Sequence, residues 1–198
     1  MDNDLKRARE ILDAEAAAIR NIPLDSDFAE AVSELLRCPG KVITTGMGKA
    51  GKIAQKMAGT LCSTGTPACY LHPGEAAHGD LGVMSEGDAI LAYSTSGKTR
   101  EVLEMLELAR HLGVTSMIGI TSHPDSSIRE LCPVVLNMGE ITEPCSLGLT
   151  PTSSTIVMLA ISDALALVLM ERKNITQKEF GLRHHGGYLG TKAKNACS

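Results

Sequence analysis

The chain has 198 residues, of which 43% are hydrophobic, and a formal net charge of −4 at pH 7. That length and apolar content are enough for one large domain with a sizeable core. The small negative charge, with no run of more than two Lys or Arg residues, argues against a nucleic-acid partner.

The sequence also argues against a membrane span, a secretory leader and a disulfide framework. The longest apolar candidate, residues 156–170, is interrupted by Ser162 and Asp163. The N-terminus opens with charged residues and has no apolar signal core. None of the six cysteines forms a C-x-x-C pair, and most lie in apolar segments. We therefore expect a cytoplasmic protein with reduced cysteines and no membrane contact.

Two helices are predicted within residues 1–38. The first covers residues 5–19, and Asp25 begins a second that runs to about Arg37. Neither helix carries a constellation of reactive groups. Leading helices of this kind usually form packing or oligomer surfaces.

The first predicted strand, residues 41–45, runs into a glycine-rich turn and then a helix. The turn, GMGKAG at 46–51, matches the G-x-G-x-x-G pattern of dinucleotide-binding sites. Such sites need an acidic residue about 20 positions further on, and no Asp or Glu lies between Ala50 and Gly74. The dinucleotide interpretation therefore fails, leaving a tight turn that directs Lys49 toward a ligand crevice.

A second short strand, residues 68–71, is followed by a loop over 72–81 that is rich in ionisable groups. Its His72, Glu75 and His78 could chelate a metal in principle. Their spacing matches no closed metal motif, so a catalytic or hydrogen-bonding role for one histidine is the favoured interpretation.

The third predicted strand, residues 89–93, ends in the hydroxyl-rich turn STSGKT at 94–99, and a helix follows. A helix start leaves backbone N–H groups unsatisfied and carries partial positive charge. One hydroxyl would suffice for an ordinary helix cap. Ser94, Ser96 and Thr99 instead surround Gly97, a combination that favours a phosphate-binding turn.

The alternation of strands and helices continues through the rest of the chain. We predict two further strands, at 115–120 and 133–136, with a short helix between them. A long connection over 139–151 then leads to the sequence TSST at 152–155, a capped start for an apolar helix over 156–170. That helix is expected to be buried on most sides, in the core or against another subunit.

Five predicted strands separated by helices indicate a parallel sheet with helices on both faces. We therefore expect a three-layer α/β/α sandwich in a single domain over residues 1–198, with a frayed tail from residue 191. Ligands of such sheets bind at the carboxyl ends of the strands. The turns at 46–49, 72–78 and 94–99 should accordingly converge on one edge.

The motifs of these turns resemble the sugar-isomerase (SIS) domain family and, within it, the arabinose-5-phosphate isomerases. The resemblance covers roughly residues 40–190 and implies a flavodoxin-like sheet. The serine–glycine turn marks only the broad phosphosugar-binding family, whereas AAHGDLG at 76–82 and LGLTPTS at 147–153 are much more specific. The matching stretches are GMGK (46–49), STGTP (63–67), HPGEAAHGDLG (72–82), STSG (94–97), LGLTPTSST (147–155) and His184 with Gly186-Gly187.

The resemblance implies two groups of site residues. The phosphate-binding group is expected to comprise Ser94, Ser96, Thr99, Ser63 and Thr155. The polar groups lining the active site are expected to be Lys49, His78, Glu101, Glu143 and His184.

Two departures from the family pattern bear on this assignment. Many relatives carry Glu where this chain has Lys98, although the later acid, Glu101, is intact. Many also have His-Pro-Gly-Gly where this chain has His184 followed by His185, so that two adjacent histidines share the position. Longer relatives continue into a pair of cystathionine-β-synthase-type regulatory modules, which we do not expect in this chain.

The reaction implied by the resemblance interconverts D-arabinose 5-phosphate and D-ribulose 5-phosphate through an enediol, feeding Kdo synthesis for lipopolysaccharide or capsule. It requires a base at carbon, a second acid, and a cation or N–H beside the developing oxyanion. Glu143 is the first choice as carbon base and His184 the alternative. His78 would act as ring-opening or oxygen acid, and Lys49 would lie beside the oxyanion. We expect neither a metal ion nor a redox cofactor.

Two other functions stay open at this point. The chain could isomerise another phosphosugar, such as a hexulose or sedoheptulose phosphate, or it could be a non-catalytic phosphosugar sensor. Sensors need no cluster of acids and histidines, and turnover separates them from enzymes.

Self-association is expected as well. The apolar helix at 156–170 and the first helix carry more hydrophobic surface than one compact domain needs. The resemblance implies a homotetramer with sites near subunit boundaries and a histidine contributed by the neighbouring chain.

Overall fold

The computed structural model describes residues 2–184, in which five strands alternate with seven α-helices. Two short 3-10 helices, Asp80–Val83 and Ser127–Glu130, complete the regular structure of this part of the chain. The strands are β1 (Val42–Gly46), β2 (Ala68–Tyr70), β3 (Ala89–Tyr93), β4 (Ser116–Thr121) and β5 (Val134–Asn137). The helices are α1 (Asp2–Arg20), α2 (Ser26–Arg37), α3 (Gly48–Ser63), α4 (Pro73–Ala76), α5 (Arg100–His111), α6 (Ser153–Arg172) and α7 (Gln177–Leu182).

The five strands form one parallel sheet in the order β2-β1-β3-β4-β5. Val42 at the start of β1 pairs with Ala68 of β2 on one side and with Ala89 of β3 on the other. The chain therefore reverses its direction of travel across the sheet between β1 and β3. In an open α/β sheet such a switch point opens the crevice in which ligands bind. The predicted five-stranded, flavodoxin-like sheet is confirmed.

Helices cover both faces of the sheet, which confirms the three-layer sandwich. Helices α2, α3 and α6 pack on one face, and α1 lies outside against α6. Helices α4 and α5 pack on the other face, together with Ile128 of the second 3-10 helix. Strand β3 is buried on both sides, with Leu91 facing one core and Ile90 the other. Burial on both sides explains its uninterrupted apolar sequence.

The helix α6 is longer than predicted, and by length and composition alone it could cross a membrane. About half of it is buried inside the molecule, where it packs against α1, α2 and α3. Its polar residues serve this packing: Ser162 Oγ lies 2.7 Å from the hydroxyl of buried Tyr93, and Asp163 pairs with Lys56 of α3. These contacts are those of a core helix, although its outer side is more exposed than the sequence predicted.

The segment after β2 is more regular than the loop predicted there. Pro73 occupies the first turn of α4, and His72 Nδ1 accepts the N–H of Gly74 at 3.2 Å to cap it. A proline in the first turn loses no hydrogen bond and has the backbone angle that a helix needs. The loop therefore contains one helical turn followed by the 3-10 helix Asp80–Val83.

An ion pair between partly exposed Lys41 and buried Asp88 ties β1 to β3 at the amino edge of the sheet. Asp88 is 3% exposed, accepts the N–H groups of Lys41 and Ser85 at 2.9 and 2.8 Å, and lies 2.7 Å from Lys41 Nζ. Burial alone would raise the pKa of this carboxyl, but the ammonium and the N–H donors hold it below its ordinary value. A lowered pKa in the folded state means that folding favours the ionised carboxylate.

We expect Asp88→Asn to lower the free energy of unfolding at pH 7, and the difference from the parent to shrink in acid. The contribution of Asp88 is complete above the unfolded-state pKa of about 3.9. It disappears as the pH falls through the lowered pKa of the folded state, because both states then bind the proton. Urea unfolding of parent and variant from pH 7 down to pH 3 measures the difference. A difference that stays constant would contradict this linkage.

Candidate active site

Two of the predicted turns meet at the switch point and enclose a cavity of about 360 Å³. Gly46 and Tyr93, the last residues of β1 and β3, are paired in the sheet, so the turns that follow them lie side by side. The polar residues lining the cavity are Lys49, Ser94, Thr95, Ser96, Thr99, His123 and Thr155. Within residues 2–184, no carboxylate lines it. The cavity therefore suits an anion.

The turn at 94–99 does not use its hydroxyls as an ordinary helix cap. Thr99 is the N-cap residue of α5 but makes no side-chain capping bond. Its hydroxyl instead lies 2.8 Å from Ser94 Oγ, across the turn. The first turn of α5 thus keeps its partial positive charge without a side-chain cap, as an anion site requires.

Gly97 is the residue that allows this turn to form. Its φ is +63°, a backbone conformation that favours glycine. A Cβ at this position would also lie 1.8 Å from Ser126 Oγ, in the segment that follows β4. Both the backbone angle and the close contact therefore demand glycine.

The glycine turn after β1 has a structural reason that needs no dinucleotide. A Cβ on Gly51 would lie 2.4 Å from the carbonyl oxygen of Gly46, so α3 can begin this close to the strand only with glycine there. Met47, the N-cap residue of α3, makes no side-chain capping bond. Lys49 stands exposed in the first turn, and among the described residues it has no ion-pair partner. A second uncapped helix start and a free ammonium thus border the cavity.

Glu143 caps α6 from the long connection that precedes this helix. Its carboxylate accepts the N–H groups of Thr152 and Ser153 at 2.8 Å each, and that of Ser154 at 3.1 Å. The Ser154 hydroxyl donates to the same carboxylate. Burial would raise the pKa of Glu143, but the Ser154 hydroxyl and the three N–H groups together hold it below its ordinary value. The hydroxyl cap predicted from the TSST sequence is therefore replaced by a carboxylate.

We expect Glu143→Gln to lower the free energy of unfolding by about 1–3 kcal/mol, the cost of leaving buried donors unpaired. The glutamine NH₂ would face N–H groups that now meet carboxylate oxygens. Urea unfolding measures the effect. Glu140→Gln, an exposed residue of the same connection, is the matched control and should leave the stability unchanged. Equal stability of both variants would contradict the capping role.

Five of the predicted residues do not line this cavity: His184, whose position is described below, and four others. His78 and Glu101 border a different groove of about 440 Å³ between α4 and α5, together with Arg100 and His111. Ser63 donates its hydroxyl to the carbonyl of Gly59 in its own helix and borders a third groove. Glu143 occupies the cap of α6. One chain therefore brings together Lys49, Ser94, Ser96, Thr99 and Thr155, but not the whole predicted set.

His184 lies just beyond α7, with its ring held on both sides. Its Nδ1 is 3.0 Å from the carbonyl oxygen of Phe180, and the two rings stack at a centroid distance of 4.0 Å. Since a carbonyl only accepts, we assign the proton to Nδ1, which leaves Nε2 as a proton acceptor in the neutral ring. The neighbouring His185, the pair Gly186-Gly187 and the tail from residue 191 lie outside the described residues.

Sequence reasoning missed His123. This residue follows β4, the neighbour of β3, so it belongs to the same edge of the sheet as the turn at 94–99. The available signal was the polar sequence Thr121-Ser122-His123 directly after a buried strand.

The cysteines are less uniform than predicted. Five lie in the described range and all are unpaired. Cys132 is buried, which raises the pKa of its thiol to about 12. Cys145 accepts hydrogen bonds from Thr150 and Leu149, which lower its pKa to about 6. Residues 2–184 hold no group of three or more His, Cys, Asp or Glu residues arranged for a metal ion.

Comparison with known proteins connects this chain to one family. A family model described as the SIS domain matches residues 35–168. The arabinose 5-phosphate isomerase KdsD of Pseudomonas aeruginosa is 43% identical over 169 residues, and that of Francisella tularensis is 44% identical over 172. Each match covers 85% of this chain and 52% of the relative, so the chain spans about half the length of the curated relatives it matches.

Two solved structures resemble the whole described fold. A Bacteroides fragilis protein, provisionally described as a phosphosugar isomerase involved in capsule formation, is 45% identical with a TM-score of 0.90. An Escherichia coli CFT073 protein solved in complex with arabinose 5-phosphate is 36% identical with a TM-score of 0.89. The matches cover 93% and 92% of this chain and 98% of each relative, so both share its three-layer architecture.

Proposed function

The chain belongs to the SIS domain family, and from this premise we propose that it is an aldose–ketose isomerase acting on D-arabinose 5-phosphate and D-ribulose 5-phosphate. The observation that carries the proposal is the cavity at the switch point, where a hydroxyl-rich turn, two helix starts without side-chain caps and Lys49 meet. The similarity to arabinose 5-phosphate isomerases and to a protein solved with arabinose 5-phosphate supports this choice of sugar. In the cell, the proposed isomerase supplies arabinose 5-phosphate for Kdo synthesis.

The phosphate binds at the turn after β3. Ser96 donates to its oxygens, the bonded pair Ser94 and Thr99 has one hydroxyl proton left to donate, and the start of α5 adds N–H groups and partial positive charge. Thr155 lines the same cavity from the first turn of α6. Binding energy at the phosphate holds the open-chain sugar in place while the chemistry proceeds at carbons 1 and 2. Ser63 has no part in this site in the same chain, because its hydroxyl is bonded within α3.

The proton transfers need a base and an electrophile on the other side of the sugar. Lys49 is placed to stabilise the oxyanion of the enediol. His184 is better suited than Glu143 to accept the carbon-bound proton. Its Nε2 is an oriented acceptor, whereas both oxygens of Glu143 are engaged by the α6 cap and its pKa is lowered. His78 and Glu101 serve ring opening and oxygen proton transfer from the second groove.

This division of labour requires more than one chain, and we include a cytoplasmic homotetramer in the proposal. His78, Glu101 and His184 do not line the cavity of their own chain, so neighbouring copies supply them. Exposed leucines provide a surface for that association. Leu5 and Leu12 of α1 are 69% and 55% exposed, and Leu167 of the adjoining α6 is 52% exposed. Apolar exposure of this kind is typical of a surface that packs against another subunit.

We expect Leu167→Asp to shift the protein toward smaller species in sedimentation at micromolar concentration and to lower its activity with them. A carboxylate in an apolar interface loses its hydration without gaining a partner. Leu112→Asp is the matched control, because Leu112 is 48% exposed just beyond α5, on the other face of the sheet. A parent that sediments as a fully active monomer would contradict the assembly.

The experiment that tests the function is an aldose–ketose exchange assay on a panel of pentose, hexose and heptose phosphates. We expect the highest kcat/KM for arabinose 5-phosphate. Preference for a hexose or heptose phosphate would identify a different isomerase. Binding of arabinose 5-phosphate without turnover would instead identify a phosphosugar sensor.

A further inference from the structure

The segment that follows β4 is joined to the phosphate turn by several hydrogen bonds. The carbonyl oxygen of Thr95 accepts the N–H of Ser122 at 3.1 Å and the hydroxyl of Ser122 at 2.9 Å. The hydroxyl of Thr121 donates to the same oxygen at 3.0 Å. These bonds hold His123, the next residue, in a fixed relation to the turn between Ser94 and Thr99.

The ring of His123 is oriented by this carbonyl and lines the cavity. Its Nδ1 lies 3.1 Å from the Thr95 oxygen and 3.1 Å from Ser122 Oγ. Among the described residues, no hydrogen-bond partner engages Nε2, and the side chain is exposed to the cavity. In the imidazolium both nitrogens donate, one to Thr95 and the other outward.

The charged groups around the cavity favour an anion as its ligand. Lys49 from α3 and His123 are the ionisable residues of its lining apart from Tyr93, whose hydroxyl is engaged by Ser162. No carboxylate in residues 2–184 lines the cavity to compete for a hydrogen bond from Nε2. A phosphate in the turn offers several oxygens, more than one of which can accept from outside the turn itself.

We propose that His123 is a further substrate-binding residue, donating a hydrogen bond from Nε2 to the phosphate of the sugar. The inference rests on the proposed function, because it takes the cavity to be the phosphosugar site. It assigns a direct ligand contact to the segment after β4, in addition to the contacts of the turn after β3. The phosphate would then lie between two adjacent strand ends.

A pair of variants separates this contact from a merely structural role. His123→Asn keeps a donor near the position of Nδ1, so it can still hold the Thr95 carbonyl, but it has nothing at Nε2. His123→Gln carries an amide donor near the position of Nε2. We expect His123→Asn to weaken the binding of inorganic phosphate and of arabinose 5-phosphate by about 10- to 100-fold, the usual worth of a hydrogen bond to a charged group. His123→Gln should stay within a few-fold of the parent.

Calorimetric titration with inorganic phosphate and arabinose 5-phosphate measures the affinities, and steady-state kinetics should show the loss in KM with kcat nearly unchanged. Parental affinity in His123→Asn would overturn the proposal, as would an equal loss in both variants. The proposed function is tested by a different result from the His123 contact. A parent that binds phosphate but does not isomerise arabinose 5-phosphate would overturn the function. A loss of phosphate affinity confined to His123→Asn would still support the contact.

Discussion

Replacing His184 by asparagine is expected to lower kcat by about 10²- to 10⁴-fold, the usual worth of a positioned general base. Asparagine keeps a donor near the position of Nδ1 for the Phe180 carbonyl, but it has no counterpart to the Nε2 lone pair. The substrate affinity should change little, because in the proposed function the phosphate is held at the turn after β3. Loss of kcat with an unchanged KM is the signature of a group that acts mainly in the transition state.

Solvent-deuterium uptake at carbon 2 of the product pentose phosphate measures the proton step directly. Glu143→Gln is the comparison, because it tests the base that the family resemblance favoured. We expect the glutamine variant to lose stability through the α6 cap while its folded fraction still exchanges deuterium. If His184→Asn exchanged at the parental rate and Glu143→Gln did not, Glu143 would be the base.

Sequence patterns predicted the sheet well because four of its five strands are buried at nearly every position. A strand such as β3 needs an unbroken apolar run, and turns bound that run at both ends, so its predicted limits at Ala89 and Tyr93 are confirmed. The turn after β3 was equally readable, since Gly97 and the flanking hydroxyls lie within six residues of sequence, and its phosphate-binding role stays a prediction. Residues that act together within one turn can be recognised from the sequence of that turn.

Contacts between distant segments left no such signal. The cap of α6 comes from Glu143, nine residues before Thr152, and no capping pattern places a carboxylate there. His123 borders the phosphate turn only because β4 lies next to β3 in the sheet. A histidine after a strand becomes a candidate ligand once the strand order is known.

The location of His78 and Glu101 shows a second limit of sequence reasoning. Convergence of the three turns on one edge was predicted from the parallel sheet alone. Helices α4 and α5 pack on the face opposite α3 and α6, and they carry His78 and Glu101 into a separate groove. Spacing indicates which strand a residue follows, but the face on which the next helix packs depends on the three-dimensional fold.

The two sides of the switch point suggest different tasks for the groups that border it. In the proposed function the turn after β3 holds the phosphate, whereas the start of α3 presents Lys49 from the β1 side. A phosphosugar lying across the switch point would therefore place its reacting carbons toward Lys49. Variants of Lys49 therefore test whether phosphate binding and the reaction at the sugar carbons take place at different ends of the cavity.

Replacing Lys49 by methionine is expected to lower kcat by about 10²- to 10³-fold, the usual loss when one donor to a developing oxyanion is removed. Methionine keeps a flexible apolar chain and removes the ammonium, and Lys49 is exposed, so the fold should be unaffected. The affinity for inorganic phosphate should change little. Lys49→Arg, which keeps the charge in a broader group, should recover part of the lost rate.

Steady-state kinetics on arabinose 5-phosphate and calorimetric titration with inorganic phosphate show whether Lys49 acts in the chemical step or in phosphate binding. If Lys49→Met kept the parental kcat and instead weakened phosphate binding by about 10-fold or more, its ammonium would belong to the phosphate anchor with the turn after β3. The oxyanion would then need another donor, and the first N–H groups of α3, which carry no side-chain cap, are the nearest source on the β1 side.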